Sequence, residues 1–406
     1  MVNVIGLGYI GLPTSLMLAS HGVSVTGTDR DKDLVATLNA GKTTFKEDGL
    51  DELFDNALKS GIKFTTSYIE TDMYIIAVPT PYDKESKRID PSYVVNAVKD
   101  VLTVAPAGAV LVIESTVSPG TIDRFVRPVI ESAGRKIGTD IHLAHAPERI
   151  IPGNMVYELL HNDRTIGADS TEIGEKVKSV YASFCGGEIV VTSIRTAEMT
   201  KVVENTFRDI NIAYANELVK ICDAGNMDVR EIISIANRHP RVNILQPGPG
   251  VGGHCISVDP WFLVGDYPMY ANLVRRAREI NDSMPEYVLE KISRIMKENG
   301  ISDPSRVGLY GLTYKENVDD IRESPTLQML DSMERHLTTG VKVYDPFITR
   351  DICANQYHDL DAFLNDIDIF VLLVGHNEIK ENMDKIRGKI IFDTRNVCPF
   401  EDIYRL

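Results

Sequence analysis

A single cysteine stands at the end of a loop that is rich in glycine and proline. Cys255 directly follows the run Pro247-Gly248-Pro249-Gly250-Val251-Gly252-Gly253-His254. Glycine and proline interrupt both helices and strands, so this segment is predicted to be a loop. Such a loop lets the main chain approach a ligand closely, whereas a lone cysteine elsewhere is usually structural. The pattern therefore favours a nucleophilic role for Cys255 and structural roles for Cys185 and Cys222.

The first residues carry a motif that is typical of dinucleotide binding. Gly6, Gly8 and Gly11 fit the pattern G-x-G-x-x-G, directly after a strand-like segment and before a helical one. Gly6 permits a tight turn, Gly8 lets the backbone approach a pyrophosphate, and Gly11 lets the helix pack against the strand. The helix N-terminus favours the phosphate charge. The sequence therefore predicts a dinucleotide cradle, to which Tyr9 and Ile10 also belong.

An acidic residue follows the second predicted strand at the position expected of a ribose ligand. Asp29 lies 23 positions after Gly6, close to the spacing of the carboxylate that binds the ribose hydroxyls. A carboxylate there would repel a 2′-phosphate, so the sequence predicts NAD rather than NADP as the cofactor. Thr80 and Thr116 follow two further strands and are expected at the carboxyl edge of the sheet, where ligands bind in this fold.

Three polar residues form a row on one predicted helix. Lys201, Asn205 and Arg208 are spaced by four and three residues within 197–219, so they share one side of a helix whose other faces are mostly apolar. A solvated face would normally carry more charge than this isolated row. The pattern therefore favours a functional role for these three side chains.

The composition excludes several classes of protein. A chain of 406 residues with 43% hydrophobic and 25% charged residues is typical of two or three globular domains. Its net charge of −15 argues against a non-specific nucleic-acid binder, which needs a basic face. We expect no membrane partner, because there is no signal-like start and the longest apolar run, Ile369–Val374, is far too short for a membrane helix. Five scattered cysteines without a C-x-x-C pair predict no zinc site or disulfide framework, hence no metal and a reduced, cytoplasmic protein.

The elements that must position these residues form two strand–helix regions around a helical middle. Up to about residue 187, short apolar runs alternate with helical patterns, which predicts a doubly wound parallel sheet. The strand signal disappears from Thr196 to about Asn299 and returns after a linker-like segment at 302–304. The strands predicted in the first region are Val2–Ile5, Val23–Thr28, Met73–Val78, Val110–Glu114 and Ile141–Ala144.

The last region repeats the order of the first. Four of its runs correspond in sequence order to strands of the first region, namely Arg306–Tyr310, Val341–Asp345, Asp368–Val374 and Ile390–Thr394. Chance similarity could explain any single pair, but four pairs in one order indicate a repeated topology. The predicted fold is α/β, with two Rossmann-like doubly wound parallel-sheet domains joined by a central helical domain. The predicted domains are 1–190, which carries the NAD motif, the helical middle 191–300, and 301–406.

Taken together, the motifs resemble those of the nucleotide-sugar 6-dehydrogenases, the family of UDP-glucose and GDP-mannose dehydrogenases. The resemblance extends over essentially the whole chain and rests on Gly6–Gly11, Val78–Pro81, Glu114–Thr121, Ala146–Arg149, Glu198–Phe207, Gly250–Pro260 and Gly311–Ser324. It implies oxidation of the C6 alcohol of a UDP-sugar to a carboxylate with two NAD per turnover. It also implies a homodimer formed through the central helical domain.

The resemblance implies a covalent mechanism. The catalytic residues that it implies are Cys255, Lys201, Asn205, Asp259, Glu148 and Thr116. Cys255 would form a thiohemiacetal with the aldehyde and then a thioester, with Lys201 at the reacting oxygen and Asn205 assisting it. A free cysteine titrates near ~8.5, so a positive charge such as that of Lys201 would favour the reactive thiolate. Glu148 together with Thr116 would order the hydrolytic water.

Binding roles are implied in the same way. The cofactor residues are Gly6, Gly8, Tyr9, Ile10, Gly11, Asp29, Thr80, Thr116 and Arg322. The substrate residues are Glu148, Arg149, Ile150, Lys201, Asn205, Arg208, His239, Arg241, Gly252, Tyr314 and Lys315. His239 and Arg241 would reach a substrate bound to the neighbouring subunit, although Pro240 makes a simple helix-ending turn nearly as good an account of His239.

The substrate is expected to be an acetamido sugar. UDP-glucose enzymes usually carry Pro-Lys-Asp where this chain has Ser257-Val258-Asp259. Ser257 and Trp261 favour UDP-N-acetyl-D-mannosamine, with UDP-N-acetylglucosamine and UDP-glucose as alternatives. Two other classes remain open, a non-catalytic NAD-sensing module and a 3-hydroxyacid dehydrogenase. The intact set around Cys255 argues against the first, and the third α/β domain argues against the second.

Overall fold

The computed structural model describes residues 1–335 and 340–406. It divides into two compact units, one formed by Met1–Glu204 with Gly265–Tyr267 and the other by Asn205–Val264 with Pro268–Leu406. The three-domain division expected from the sequence stays a prediction. No helix within the described ranges is long and apolar enough to cross a membrane.

The first unit is built on an eight-stranded sheet. Its strands are β1 (Val2–Ile5), β2 (Val25–Thr28), β3 (Lys63–Thr65), β4 (Met73–Ile76), β5 (Ala109–Ile113), β6 (Ile141–His145), β7 (Arg164–Ala168) and β8 (Ile189–Thr192). They lie in the order β3-β2-β1-β4-β5-β6-β7-β8. The central strands β1, β4 and β5 are buried along their whole length, because helices cover both faces of a parallel sheet. The first six strands thus have the order of a dinucleotide-binding fold.

One pair of neighbouring strands in this sheet was not expected. β6 and β7 run antiparallel, with Ala144 opposite Ala168 and His145 opposite Gly167. The chain leaves the end of β6 through Ala146–Arg149 and returns into the same edge of the sheet at Arg164. This return brings the start of β7 beside residues that follow β5 and β6.

Seven helices belong to the first unit. They are α1 (Gly11–Ser20), α2 (Lys32–Asn39), α3 (Leu50–Lys59), α4 (Ser92–Leu102), α5 (Arg127–Ser132), α6 (Met155–His161) and α7 (Thr171–Tyr181), with a π-helical turn at Ile122–Val126 before α5. The first turn of α3 contains Asp51 and Glu52, and its last turn contains Lys59. This arrangement of charges matches the helix dipole. Its apolar face, which includes Leu53 and Phe54, is buried in the main core of the unit.

The middle of the chain is helical, as expected. Its helices are α8 (Ile194–Gly225), α9 (Val229–Ala236), α10 (Asp259–Asp266), α11 (Asn272–Asp282) and α12 (Met284–Glu298). The side chain of Asp228 caps α9 by accepting from the N–H groups of Arg230 and Glu231. The segment between α9 and α10 has no strand or helix, as its glycines and prolines predict.

The second unit contains a six-stranded parallel sheet. Its strands are β9 (Val307–Tyr310), β10 (Lys342–Tyr344), β11 (Gln356–Tyr357), β12 (Ile369–Leu372), β13 (Ile390–Asp393) and β14 (Tyr404–Arg405). The helices α13 (Pro325–Arg335), α14 (Leu360–Asn365) and α15 (Asn377–Glu381) accompany it, with 3₁₀ turns at Pro304–Arg306 and Met383–Ile386. The strand order β11-β10-β9-β12-β13-β14 repeats that of the first sheet. The predicted repetition is therefore confirmed.

The strands predicted from sequence are all present, with ends that differ by at most two residues. Five strands were not predicted, namely β3, β7, β8, β11 and β14. Most of them are at or near the edges of their sheets, where a strand is only partly buried. Their apolar runs are correspondingly short, so the pattern did not distinguish them from loops.

Candidate active site

The three glycines of the first motif have backbone surroundings that fit a dinucleotide cradle, while their contacts with a cofactor stay a prediction. Gly6 has a φ of 87°, and a Cβ there would lie 2.5 Å from the carbonyl oxygen of Ala77. A Cβ on Gly11 would lie 1.8 Å from the carbonyl oxygen of Gly6, so the first turn of α1 packs directly on the end of β1. A Cβ on Gly8 would meet no described atom within 4 Å. Gly8 therefore faces open space, which fits the close approach of a pyrophosphate.

The N-terminus of α1 is suited to an anion. Ile10 stands at the cap position, where the described structure shows no side-chain hydrogen bond, and the first turn contains no acidic residue. The backbone N–H groups of this turn and the helix dipole together favour a phosphate. This end of the helix fits the predicted cofactor.

Asp29 holds the glycine turn, and its role in binding a ribose stays a prediction. Its Oδ2 accepts a hydrogen bond of 2.7 Å from the backbone N–H of Leu7, and its Oδ1 accepts one of 2.9 Å from Asp31. The carboxylate is only half-buried, so it remains open to a ligand. The first unit thus carries a cradle for NAD.

Other predicted cofactor residues lie in different settings. Tyr9 stacks on Phe45 with a distance of 4.3 Å between ring centroids. Thr80 is buried after β4, and Thr116 is half-buried after β5, at the carboxyl edge of the sheet. Arg322 belongs to the second unit, where its guanidinium donates to Asp320 at 2.6 Å. A cofactor role for Arg322 stays a prediction.

Glu148 lies in a buried polar cluster of the first unit. The residue is 6% exposed, and its Oε1 accepts a hydrogen bond of 2.7 Å from the backbone N–H of Arg149. Its Oε2 accepts from the guanidinium of Arg164, which is itself 4% exposed. Two arginines therefore fix the Glu148 carboxylate, one through its backbone and the other through its side chain. Ile150, the next predicted substrate residue, is buried.

Arg149 directs its side chain away from Glu148. Its guanidinium donates to the carbonyl oxygen of Asp163 at 2.9 Å and to Oγ1 of Thr165 at 3.0 Å, and it forms an ion pair of 2.6 Å with Glu204. These contacts join the loop after β6 to β7 and to α8. The structure therefore gives Arg149 a defined structural role, while its role in substrate binding stays a prediction.

A second carboxyl group lies behind Glu148. Glu114 follows β5, is 1% exposed, and accepts at its Oε1 from the Tyr181 hydroxyl at 2.9 Å and the Thr14 hydroxyl at 3.3 Å. Burial first, and the charge of Glu148 second, raise the pKa of Glu114 to about 8, against the opposing effect of Arg164. Both effects favour the protonated form of Glu114.

Lys201 is also buried in the first unit, where its side chain is 6% exposed. Glu198 lies one turn earlier on α8, and its carboxylate accepts from the N–H of Gly120 at 2.5 Å and of Ile122 at 3.0 Å. These bonds cap the π-helical turn and tie the segment after Thr116 to α8. Burial raises the pKa of Glu198, which the two backbone hydrogen bonds partly offset.

In the second unit, Cys255 is exposed at the end of the glycine loop. A Cβ on Gly252 would lie 2.6 Å from Cβ of Tyr314, and one on Gly253 would lie 2.8 Å from the Tyr314 ring. The N–H of Gly253 donates to the carbonyl oxygen of Arg322 at 2.8 Å. The glycines are needed because this loop packs directly against the segment that follows β9. Gly252 and Tyr314 are thus in contact, and the substrate roles expected of both stay predictions.

Asn205 and Asp259 form a buried pair. The Asn205 side-chain N–H group donates to Oδ2 of Asp259 at 2.6 Å, and the two residues are 5% and 3% exposed. The N–H of Asp259 in turn donates to the carbonyl oxygen of Cys255 at 2.8 Å. α8, the first turn of α10 and the nucleophile loop are thereby joined in one hydrogen-bonded chain.

Arg208, His239 and Arg241 are exposed. His239 follows the end of α9, and its Nδ1 accepts from the backbone N–H of Arg241 at 3.3 Å. That bond supports the turn at Pro240, so a structural role for His239 is present in the single chain. Lys315 lies in the segment next to Tyr314, and its role in substrate binding stays a prediction, as do those of the three exposed residues.

The structure also identifies polar residues to which the sequence gave no role. Glu114 was part of a family motif without a function of its own, and Arg164 was not singled out. The sequence gives one indication of their importance. Each is a charged residue at one end of an apolar strand, and charged residues are unusual in buried segments. Among the described residues, no group of three or more His, Cys, Asp or Glu side chains could hold a metal ion.

Comparison with known proteins gives one consistent family. Residues 1–185 match the NAD-binding domain of the UDP-glucose/GDP-mannose dehydrogenase family, residues 195–283 its central domain, and residues 308–399 its UDP-binding domain. The matched segments lie in the order expected of the whole family.

Individual relatives cover nearly the whole chain. The UDP-N-acetyl-D-mannosamine dehydrogenase of Methanococcus maripaludis is 43% identical, over 98% of this chain and 92% of that protein. The NDP-N-acetyl-D-galactosaminuronic acid dehydrogenase of Ralstonia nicotianae is 41% identical, over 98% and 96% respectively. A crystal structure of UDP-N-acetyl-mannosamine dehydrogenase from Staphylococcus aureus is 43% identical, with a TM-score of 0.89, and the match covers 100% of this chain and 97% of that one.

Proposed function

The chain belongs to the UDP-glucose/GDP-mannose dehydrogenase family and is an NAD-dependent nucleotide-sugar dehydrogenase, and from this premise we propose that it oxidises UDP-N-acetyl-D-mannosamine at C6 to UDP-N-acetyl-D-mannosaminuronate. The proposed reaction removes four electrons and uses two NAD for each sugar. The observation that carries it is Cys255, an exposed thiol at the end of a glycine loop whose backbone is fixed by Asp259.

The first oxidation converts the C6 alcohol to an aldehyde. NAD supplies the hydride acceptor for this and for the second oxidation, and Gly8, the first turn of α1 and Asp29 would hold it. We assign the alcohol proton to Lys201, whose buried amine would take it as the carbonyl forms or would stabilise the developing negative charge on oxygen. Asn205 would assist Lys201 and is held by its hydrogen bond to Asp259.

The second oxidation requires a covalent intermediate. The Cys255 thiolate adds to the aldehyde carbon, and the oxygen takes a proton to give a thiohemiacetal. Loss of hydride and the hydroxyl proton gives a thioester. Water then adds to the thioester carbonyl, the C–S bond breaks, and the products are the carboxylate, a proton and free Cys255. We assign the ordering of this water to Glu148 and Thr116.

The identity of the sugar rests on the loop and on the relatives. Ser257 is 6% exposed and donates its hydroxyl proton to the carbonyl oxygen of Gly253, while Trp261 is 8% exposed. Both side chains are therefore turned into the protein and would act on sugar choice through the shape of the Cys255 loop. Relatives named for UDP-N-acetyl-D-mannosamine support this substrate, and the relative in Ralstonia makes the galactosamine isomer the nearest competitor.

One assay tests both the reaction and the sugar. The purified protein is given NAD with UDP-N-acetylmannosamine, UDP-N-acetylglucosamine, UDP-N-acetylgalactosamine or UDP-glucose, and the NADH and uronate formed are counted for each sugar consumed. Two NADH per UDP-N-acetylmannosamine, with the highest kcat/KM for that sugar, is the expected result. One NADH per sugar would indicate a simple alcohol dehydrogenase, and none would indicate an NAD-binding protein without this activity.

We further propose a homodimer formed through the helical middle. Phe207, Tyr214 and Ile221 are 66%, 51% and 53% exposed, and their spacing of seven residues puts them on one face of α8. Leu273 on α11 is 66% exposed as well. A row of large apolar side chains is favourable in water only when another surface covers it, and a second copy of the same helix is the proposed partner. Sedimentation of the wild-type protein and of a Phe207→Glu/Tyr214→Glu variant would test this, with a monomeric wild type contradicting it.

A further inference from the structure

A buried cation lies between two buried carboxyl groups in the first unit. The guanidinium of Arg164 donates to Oε2 of Glu148, and its second terminal nitrogen is 3.8 Å from Oε1 of Glu114. The side chains of Arg164, Glu114 and Glu148 are 5%, 0% and 4% exposed. All three elements converge because β7 returns antiparallel beside β6, next to the end of β5.

The two carboxyl groups are not equivalent partners of this cation. Glu148 accepts directly from Arg164 and also from the backbone N–H of Arg149. Glu114 accepts from two hydroxyl groups, those of Tyr181 and Thr14, and its Oε2 has no hydrogen-bond partner in the described structure. One positive charge cannot balance two negative charges when all three side chains are buried, so one proton is retained, and Glu114, which lacks a direct hydrogen bond to the cation, is its place.

Aromatic rings fix the orientation of the cation. The Arg164 guanidinium lies 4.6 Å from the centroid of the Tyr181 ring and 5.3 Å from that of Phe184. Stacking on ring faces leaves only the edges of the planar guanidinium for hydrogen bonds. In the described structure, four groups face Glu114. They are Arg164 from β7, Tyr181 from α7, Thr14 from α1 and Glu148 from the loop after β6.

We propose that Arg164 is a positioning residue for Glu148, and that a proton on Glu114 keeps the charge of Arg164 committed to Glu148. This inference rests on the proposed role of Glu148 in ordering the hydrolytic water. In physical terms, Arg164, Glu148 and Glu114 form a switch that is controlled by the proton on Glu114. With Glu114 protonated, Arg164 holds the Glu148 carboxyl group in one orientation. When Glu114 loses its proton, Arg164 is shared between two carboxylates and Glu148 is released from that position.

Activity as a function of pH tests the positioning role. Arg164→Gln should lower kcat about tenfold or more with a smaller change in the KM for UDP-N-acetylmannosamine, because Glu148 loses the contact that fixes its orientation. Arg164→Lys should restore much of the loss. Glu114→Gln, which is close in shape and cannot ionise, should keep kcat at neutral pH and remove the fall in kcat at alkaline pH.

A matched control separates this from the loss of any ion pair. Arg127 also bridges two carboxylates, Asp123 and Asp169, but its partners are partly exposed. Arg127→Gln should leave kcat, KM and the pH profile unchanged. If Arg164→Gln raises the KM as much as it lowers kcat, or if Arg164→Lys restores nothing, Arg164 is only structural and the inference is wrong. Should Arg164→Gln fail to fold, Arg164→Lys and Glu114→Gln decide the question through the same measurements.

Infrared spectroscopy gives a readout that does not depend on activity. A protonated carboxyl group has a carbonyl stretching band that carboxylates lack, so the difference between wild type and Glu114→Gln at neutral pH should contain one such band. Absence of this band overturns the role of Glu114.

Glu148→Gln distinguishes failure of this inference from failure of the proposed function. If Glu148→Gln leaves kcat unchanged, the assignment of the hydrolytic water to Glu148 fails, and the positioning role fails with it. If Glu148→Gln lowers kcat but Arg164→Gln does not, only the present inference fails. If no UDP-sugar yields NADH with the wild type, the proposed function fails, and the infrared band alone decides whether Glu114 holds the proton.

Discussion

The side-chain amide of Asn205 donates a 2.6 Å hydrogen bond to Oδ2 of Asp259, and both side chains are almost wholly buried. Asp259 begins α10, and its backbone N–H bonds to the carbonyl oxygen of Cys255. The position of the nucleophile loop therefore depends on a side chain of α8. The sequence predicted both residues as catalytic, but it gave no indication that they contact each other.

Asn205→Ala should affect both stability and turnover. It leaves the Asp259 carboxylate buried without its amide partner, which costs about 1–3 kcal/mol in the free energy of unfolding. Because Asp259 then holds the Cys255 loop less firmly, kcat should fall more than NAD affinity. Urea unfolding and initial-rate assays measure the two effects. Asn299→Ala, which removes hydrogen bonds to Ile295 and Tyr404 at the end of α12, should cost stability alone. Equal effects of the two variants on kcat would contradict the link.

Cys255→Ser should abolish formation of the uronate while leaving the fold and NAD binding intact. A serine hydroxyl is far less ionised than a thiol, so the thiohemiacetal and thioester cannot form at a useful rate. Mass spectrometry of the products and an NAD titration measure the two properties. The control is Cys353→Ser, because burial raises the pKa of the Cys353 thiol to about 11 and makes it a poor nucleophile at neutral pH. Uronate formation by Cys255→Ser at a near wild-type rate would exclude the covalent route.

Asp29→Ala should weaken NAD binding by about 1.5–3 kcal/mol, the value of a hydrogen bond to a charged group. That loss corresponds to a rise of roughly 10- to 150-fold in Kd, which calorimetry can measure. Because Asp29 also accepts from the N–H of Leu7, part of the loss could come from the glycine turn itself. Asp29→Asn keeps the shape and removes the charge, so it should also reduce the preference for NAD over NADP. Unchanged NAD affinity in both variants would show that Asp29 does not hold the ribose.

A buried histidine should make the protein sensitive to acid. His145 ends β6, and its Nδ1 lies 2.7 Å from the carbonyl oxygen of Ile113. Burial lowers the pKa of His145 to about 4, although the bond to Ile113 opposes the shift. Between about pH 6.5 and about pH 4 the unfolded chain binds a proton that the folded chain does not. Stability should therefore fall as pH decreases through this window, by about 1.4 kcal/mol per pH unit from this group.

Urea unfolding at a series of pH values measures that dependence. His145→Phe removes the titrating group and should flatten the decrease by the same amount, since the carbonyl oxygen of Ile113 still accepts from the N–H of Ala146. His161→Phe is the matched control, because His161 is exposed and stacks on Tyr157 in a way that phenylalanine can reproduce. The same pH slope in wild type and His145→Phe would contradict this account.

Local pattern was sufficient for the parts of the site that lie within one strand–turn–helix unit. Gly6, Gly8, Gly11 and Asp29 could be assigned because the turn, the helix start and the strand end follow each other closely in the sequence. The Cys255 loop could be predicted for the same reason, since its glycines and prolines are contiguous. In each case the residues that adopt the conformation are the same residues whose types predict it.

The cluster around Glu148 could not be predicted, because its members meet only in the folded sheet. Arg164 lies at the start of β7, and nothing in its neighbourhood indicates that β7 pairs antiparallel with β6. Glu114 ends an apolar run, and the sequence does not show that Tyr181 and Thr14 converge on it. Such contacts depend on strand order and direction, which short apolar runs leave open.

The last prediction concerns Arg241, which is exposed beyond the end of α9. If it reaches a substrate bound to the neighbouring subunit, its planar guanidinium would bind charged oxygens there. Arg241→Ala should then raise the KM for the sugar nucleotide far more than the KM for NAD. Arg238→Ala, an exposed arginine three positions earlier, is the matched control and should change neither.

Hybrid dimers test whether Arg241 acts across the interface. Subunits with Arg241→Ala are mixed with inactive Cys255→Ser subunits, and subunit exchange is verified by mass spectrometry. If Arg241 serves the neighbouring site, each hybrid carries both defects at one site and an intact second site, so activity should be regained on mixing. If Arg241 serves its own chain, every site in a hybrid has one defect, and mixing recovers nothing.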